Sequence, residues 1–392
     1  MACKAGHANE WNMTGYVKSY GVFQGDISVS GVPLEEEQVQ IQNAFRLMLS
    51  TQTTQGHDFE IHYDVQPTIY KNDPNNSLGL FSQQDISVSN YRIDDIESEL
   101  SQTDHIKTTQ NIDRLNVQIH LESGELTIGR QAMAFGSARM VNPADIFLPY
   151  DLQTLNTEYR IGIDGIRYQH YLTDFWFIDA GVITGEDFKT ENSGVFVRSQ
   201  ASINGHDIEA VVIQLDNAQL FSIGLQRALG ELGSWVELAY LNTDTSNSNV
   251  DSYWRSSFGI DYAINEDIFT MVEYHYNGAG GEAPQSYLFN SQTTAYTKYG
   301  VNLLAKNYLM PSVTVTLNPL VSIAGSLVWN LNDESSLLNI SAETSWSENQ
   351  YSQFGFYKGL GKGLAGTVLA PDVRSEYGAM PLMIYASYGL YF

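Results

Sequence analysis

Acidic, basic and imidazole side chains recur at every second position of this chain, and that spacing decides what chemistry they can do. Asp58, Glu60, His62 and Asp64 alternate with Phe59, Ile61, Tyr63 and Val65, and Arg114, His120 and Glu122 alternate with Leu115, Ile119 and Leu121. A period of two is the mark of a strand with one polar and one apolar face. Charges in a row on one sheet face can order water, select ions or brace one another. Covalent catalysis asks for a different arrangement, and no GxSxG, HExxH, CxxC or CxxCH occurs. An enzyme, a cofactor and a metal centre are not expected. Cys3 is the only cysteine, so no disulfide framework can form within the chain.

The elements that would position those charges can be read from the same alternation. Strands are expected near 10–24, 37–51, 56–69, 109–122, 124–133, 160–172, 174–184, 193–203 and 205–215, then near 219–229, 233–242, 252–264, 267–277, 295–317, 320–331, 336–346, 350–358 and 381–392, which makes 18. The segment 295–317 contains Pro311 and is read as one strand bent at a bulge, which keeps the count even. Alternate connections are tight, among them Asn204-Gly205, Asn265-Glu266 and Asn318-Pro319. The others are mostly long, notably 70–108, 134–159, 278–294 and 359–380. Short turns on one side and long loops on the other describe a transmembrane up-and-down antiparallel β-barrel, all-β, of the Gram-negative outer membrane. No run approaches the roughly 18 apolar residues of a spanning helix.

Composition agrees. Charged residues make up 17% of the 392, with 45 acidic against 20 basic and a net charge of −25. A soluble domain carries roughly 25% charged residues. Nucleic acid is excluded as a partner by the shortage of Lys and Arg, and disorder by 24 Tyr, 17 Phe and 6 Trp. Residues 1–8 read as a signal-peptide remnant, with Gly6 and Ala8 before a cut at Asn9 and a lipid-modified Cys3 as the rival reading. Residues 9–392 read as one barrel.

Parity lists the interior. The basic residues are Arg46, Arg114, Arg167, Arg198, Arg255, Lys298 and Lys306. The acidic ones are Asp58, Glu60, Asp64, Glu122, Glu209, Glu237, Asp261, Glu273 and Glu343, with His62, His120 and His275 on the same side. The mixed, slightly acidic set implies a weak cation preference, while several pairs could equally brace neighbouring strands. Arg130 falls on the lipid parity of Leu126 and Ile128, so a bulge or a rim position is expected there. The loop 134–159 is expected to fold inward and constrict the bore, with Arg130, Arg139 and Asp145 near its narrowest point. The acidic loop 70–108, with Asp73, Asp85, Asp94, Asp95, Glu97, Glu99 and Asp104, is either a solvated face or a site for divalent cations bridging lipopolysaccharide. The last strand ends on Phe392, as a substrate of the barrel-assembly machinery would, and the aromatic strand ends suit outer-membrane lipid.

Several short motifs add a resemblance. Gly129-Arg-Gln131, Phe135-Gly136, Arg139 and Asn142-Pro-x-Asp145 resemble the alginate-export family and its porin-like relatives. So do Asn330-Leu-x-Asp333-x-Ser335, Glu376-Tyr377-Gly378 and the terminal aromatic. The resemblance implies an 18-stranded outer-membrane barrel passing hydrophilic solutes. The chain departs from the many pore arginines expected of alginate exporters. Two functions follow: a passive channel for hydrophilic solutes, carbohydrate among them, or a barrel sheathing a periplasmic or cytochrome partner.

Overall fold

The structure is a computed structural model that describes residues 10–29, 32–71, 91–94, 98–103, 105–147, 155–156, 158–243, 250–367 and 370–392. The leader segment 1–8 with Cys3, and Asp73, Asp85, Asp95, Glu97 and Asp104 of the acidic loop, lie outside the described residues.

Alternation produces a strand in each of the 18 segments where one was expected. They are β1 (Trp11–Gln24), β2 (Gln38–Gln52), β3 (Asp58–Tyr70), β4 (Ile106–Leu121), β5 (Gly124–Gln131) and β6 (Ile163–Thr173). Next come β7 (Trp176–Ile183), β8 (Gly194–Ile203), β9 (His206–Leu215), β10 (Ala218–Leu229), β11 (Leu232–Thr243) and β12 (Tyr253–Ala263). The last six are β13 (Ile268–Asn277), β14 (Asn307–Asn318), β15 (Val321–Asn330), β16 (Ser336–Ser347), β17 (Gln350–Leu360) and β18 (Met383–Tyr391). Each pairs antiparallel with the next, and β18 returns to β1 with Tyr16 opposite Tyr391, so the sheet closes as an 18-strand barrel without edges. A further short strand, Ser98–Gln102, pairs with the end of β4 nearest the long loops.

One strand starts later than alternation suggested. Thr294–Thr297 is a helical turn, and the wall resumes only at Asn307. Pro311 lies inside β14 opposite Val272, and the ladder to β15 skips from Leu309 to Ser312. A proline has no N–H to give that ladder. The irregularity comes further on, between Thr316 and Asn318.

The outward face is an apolar belt, with Phe45, Val212, Phe221, Ile223, Phe258 and Ile340 all exposed to the surroundings of the chain. At the seam, Gly15 and Phe392 exchange backbone hydrogen bonds of 2.9 and 3.0 Å. The Phe392 ring lies across Gly15, its Cζ 2.7 Å from where a Cβ would stand. Only glycine leaves room for the terminal aromatic to cover the joint. This closed barrel with a lipid-facing belt resides in a bacterial outer membrane.

The two faces should respond oppositely to a new charge. Val212→Arg, in the middle of β9 on the outer face, is expected to lower stability by about 2–4 kcal/mol in lipid vesicles. Ser341→Arg, on the inner face of β16, should cost less than about 1 kcal/mol. Guanidinium titration of vesicle-folded protein measures both.

Candidate functional site

Strand β5 ends by turning inward. Ile128 faces lipid, Gly129 adopts φ +114°, and both Arg130 and Gln131 are then buried. The positive φ suits glycine and breaks the alternation, which moves Arg130 off the lipid parity. The chain beyond enters the lumen as an inner limb, and its backbone is received by carboxylates from the wall. Glu209 of β9 accepts from Gly136 N at 2.8 Å. Glu237 of β11 accepts from Ser137 N at 2.6 Å and from Ala138 N and Ala144 N at 2.9 Å. Glu273 of β13 accepts from Arg139 N at 3.0 Å, Met140 N at 3.2 Å and Val141 N at 2.9 Å, and from Trp235 Nε1 at 2.7 Å. Gly136 has φ +98°, and a Cβ there would stand 2.6 Å from the Glu237 carboxylate. Three glutamates expected on the lumen face are thus brought together, and together they hold one loop. Ser257 Oγ adds a bond to Val141 O at 2.7 Å and faces His275 Nδ1 at 2.8 Å, and Arg255 reaches Pro143 O at 3.4 Å. Arg139 pairs with Asp261 at 2.8 Å, its guanidinium 4.8 Å from the Trp235 ring centre.

The returning limb is held by the opposite wall. Lys18 of β1 pairs with Glu158, which also accepts from Tyr391 OH at 2.5 Å. Tyr159 stacks on Tyr16 at 5.9 Å and lies 4.5 Å beneath the Arg46 guanidinium. Arg160 pairs with Asp145 and so ties the two limbs to each other. Strands β2 and β11 are nine positions apart in the ring of 18, so the loop is fastened at opposite sides of the bore.

A third cluster closes the wall where the loop leaves it. In β4 a bulge leaves Asp113 as the extra residue, because His62 pairs with Arg114 and Tyr63 with Ile112. Asp113 and Arg114 are therefore both buried. Asp113 receives Arg46, Arg114 at 2.8 Å and Gly162 N at 2.7 Å, with Arg92 at 3.5 Å. Asp64 lies 3.9 Å from Arg46. Arg130 pairs with Asp164 at 2.8 Å and donates to Ile112 O at 2.8 Å and Asp94 O at 2.7 Å.

Arg130, Arg139 and Asp145 therefore do not meet at one point; each belongs to a separate ion pair. Arg167 and Arg198 share Asp179 at 2.8 and 2.7 Å. Glu60 pairs with His62 and Asp58 with His120, both at 2.7 Å. Glu122 lies in the tight turn beyond β4 and is exposed, since the strand ends one residue earlier. Lys298 and Lys306 belong to the loop before β14, where Lys306 pairs with Glu282 at 2.7 Å. Asp113, Asp164, Arg92, Asp179, Lys18 and Glu376 are missing from the expected set. Parity alone marks Asp179 and Lys18. Asp113 sits on the lipid parity, and a charge there is itself a signal of a bulge.

The lumen has a dry half and a wet half. Phe196, Val211, Ile213, Leu220, Ala239 and Leu241 of β8–β11 are buried beneath the inner limb and the loop 278–306, which supplies Tyr296, Tyr299 and Val301. Toward the long loops the inner faces of β14–β16 are buried at Tyr308, Met310, Val328 and Leu337, but nearer the short turns the inner faces of β14–β17 stay partly accessible and carry Ser312, Ser326, Asn339, Ser341 and Gln353. On the long-loop side Glu376 joins several loops. It accepts from Leu304 N at 2.9 Å, Tyr308 OH at 2.6 Å and Asn330 Nδ2 at 2.8 Å, and its own N–H donates to Asp333 at 2.8 Å. Two of the motifs noted in the sequence, around Asn330 and Glu376, meet in this latch.

The fold and the clamped inner loop define the class of the outer-membrane porin-type barrel. No family model and no curated protein matches the chain. Among solved structures it is similar to Acinetobacter baumannii OccAB4, with 11% identity, TM-score 0.59 and 98% of each chain covered. It is similar also to the outer membrane protein OprD from Pseudomonas aeruginosa, with 10% identity and TM-score 0.57 over 99% of this chain and 94% of that one. Pseudomonas aeruginosa OpdK, solved with vanillate, gives 9% identity and TM-score 0.57 over 97% of this chain and 98% of that one. At these identities the likeness is one of fold.

Two measurements test the clamps. Glu273→Ala strips the acceptor from three loop amides and Trp235, and should cost at least about 3 kcal/mol and open the Arg139–Met140 bond to trypsin. Burial raises the Glu376 carboxyl from 4.5 to about 7, and the charge of Asp333 adds to the rise. The latched loops then hold a proton that opened loops release, so the latch is strongest below about pH 4.5 and weakens as pH rises through 7. Protection factors for amide exchange across 302–306, taken relative to the intrinsic rate at each pH, should be larger at pH 5.5 than at pH 8.5, and Glu376→Gln should flatten the difference.

Proposed function

We propose that the chain is a porin-like channel passing small or oligomeric hydrophilic solutes by passive diffusion, with a weak preference for cations. The observation that carries this reading is the divided lumen. A barrel that needed only rigidity would gain nothing from keeping one wall wet. Here the clamped loop narrows the bore, and the accessible wall of β14–β17 offers hydroxyls and amides. Arg139 and Asp145 on the inner limb contribute to the constriction. Such a lining exchanges hydrogen bonds with a polyhydroxylated solute without strong electrostatic retention. The resemblance to alginate-export barrels supports oligomeric carbohydrate as one such solute. The pairing of Arg46, Arg114, Arg167 and Arg198 with wall carboxylates favours neutral chains over polyanions. The outer belt suits outer-membrane lipid and lipopolysaccharide, and the aromatic seam of β18 and Phe392 against β1 suits delivery by the barrel-assembly machinery. A sheath around a periplasmic or cytochrome partner would need a clear bore, which the two limbs occupy.

Refolded protein should give stepwise conductance in a planar bilayer and should swell liposomes in monosaccharide and disaccharide. Absence of both would refute the channel. Glu237→Gln combined with Glu273→Gln should loosen the inner limb and give a larger, noisier conductance.

A further inference from the structure

Among the described residues, the wall strands of the wet half turn a single charged side chain inward. On the register of β14–β18, the inward positions are hydroxyl, amide, aromatic, aliphatic and glycine side chains, with Glu343 of β16 as the exception. It stands opposite Ser322 on β15 and Gln353 on β17, is exposed to the bore, and forms no ion pair among the described residues. Most carboxylates of the other half are differently engaged, Asp207 at the short-turn end of β9 being exposed with Ser202 as its hydrogen-bond partner. Glu209, Glu237 and Glu273 are spent on loop amides, and Asp113, Asp179 and Asp261 on arginines. A charge already bonded in a dry site contributes little field to a passing ion. One standing free in a water-filled bore with low-dielectric walls acts on every ion that passes.

We infer that Glu343 sets the ion preference of the channel and that its ligand is a hydrated monovalent or divalent cation in transit. The inference rests on the channel reading above and assigns that reading's cation preference to one side chain. A unit charge about 8 Å from a permeating ion in a high-dielectric bore attracts one sign and repels the other, which amounts to about a fivefold bias between them. Glu343 lies four residues before the end of β16, about as far from the short turns as Glu209 and Glu273 lie on β9 and β13. It therefore acts at about the depth at which the inner limb is clamped. Solutes without charge should pass it unaffected.

The test is the reversal potential of the refolded chain in a KCl gradient. Wild type is expected to favour K+ over Cl− by about three- to fivefold. Glu343→Gln should bring the ratio near unity, and Glu343→Lys should invert it. Ser322→Lys places an ammonium directly across from Glu343 and should abolish the preference with the carboxylate still present. Glu348→Gln, in the turn beyond β16, should leave the wild-type ratio unchanged. Sugar-driven liposome swelling should be equal in all variants. If Glu343→Gln and Ser322→Lys conduct with the wild-type ratio, the assignment is wrong while the channel stands. If wild type itself does not conduct, the channel reading fails and this one with it.

Discussion

A loop inside a barrel needs partners for its backbone, because no regular ladder is available to it there. In this chain three wall glutamates supply them. Glu209, Glu237 and Glu273 together accept seven amide protons from residues 136–144. Burying a carboxylate costs several kcal/mol. An ionised acceptor offers two oxygens and strong, short bonds, which suits it to gather N–H groups that point in one direction. The inner limb then lies where those carboxylates hold it, and the hydrophobic cluster of Phe135, Phe147 and Tyr296 fills in behind. The division of the lumen follows from that placement.

The same loop creates a second problem where it departs from the wall. Between β4 and β6 the ladder loses its middle strand at Gln131, and backbone groups of 111–114 face an interrupted edge. Guanidinium groups take over that role. Arg130 donates to Ile112 O and Arg92 to Gly162 O, while Asp113 gathers the positive charge from the inner side. A β-bulge is what makes this possible, since it turns Asp113 and Arg114 to the same side. Replacing a stretch of ladder by side chains is costly in entropy, but leaving polar groups unpaired at membrane depth would cost more.

Alternation made the wall legible. It located all 18 strands, the short-turn side and the parity of the residues that anchor the loop, because a barrel imposes the same two-residue period everywhere. It was uninformative where both faces are apolar. Ala210-Val-Val-Ile213 looks like a fully buried strand; the parity of Glu209 turns Val211 and Ile213 inward and Val212 to lipid, but no pattern says that the lumen they face is dry. It was misleading where the period slips. Asp113 and Arg130 reach the interior through a bulge and a positive φ, both local backbone events that a two-residue count cannot represent. Segment 295–306 failed for a related reason. Its aromatic and β-branched residues suit a strand, yet they pack on the inner limb as loop and helical turn, so tertiary burial overrode local preference.

The net charge of −25 now has a different meaning from the one its size suggests. An acidic chain invites the picture of an acidic pore. Inside the barrel, however, most carboxylates are bound to amides or guanidinium groups. The lumen therefore carries many charges and presents few. Selectivity in such a channel depends less on how many charges the wall contains than on which of them the fold leaves unpaired. Composition and parity can list the candidates. Only the hydrogen-bond partners separate the charges that build the channel from those that a passing solute can feel.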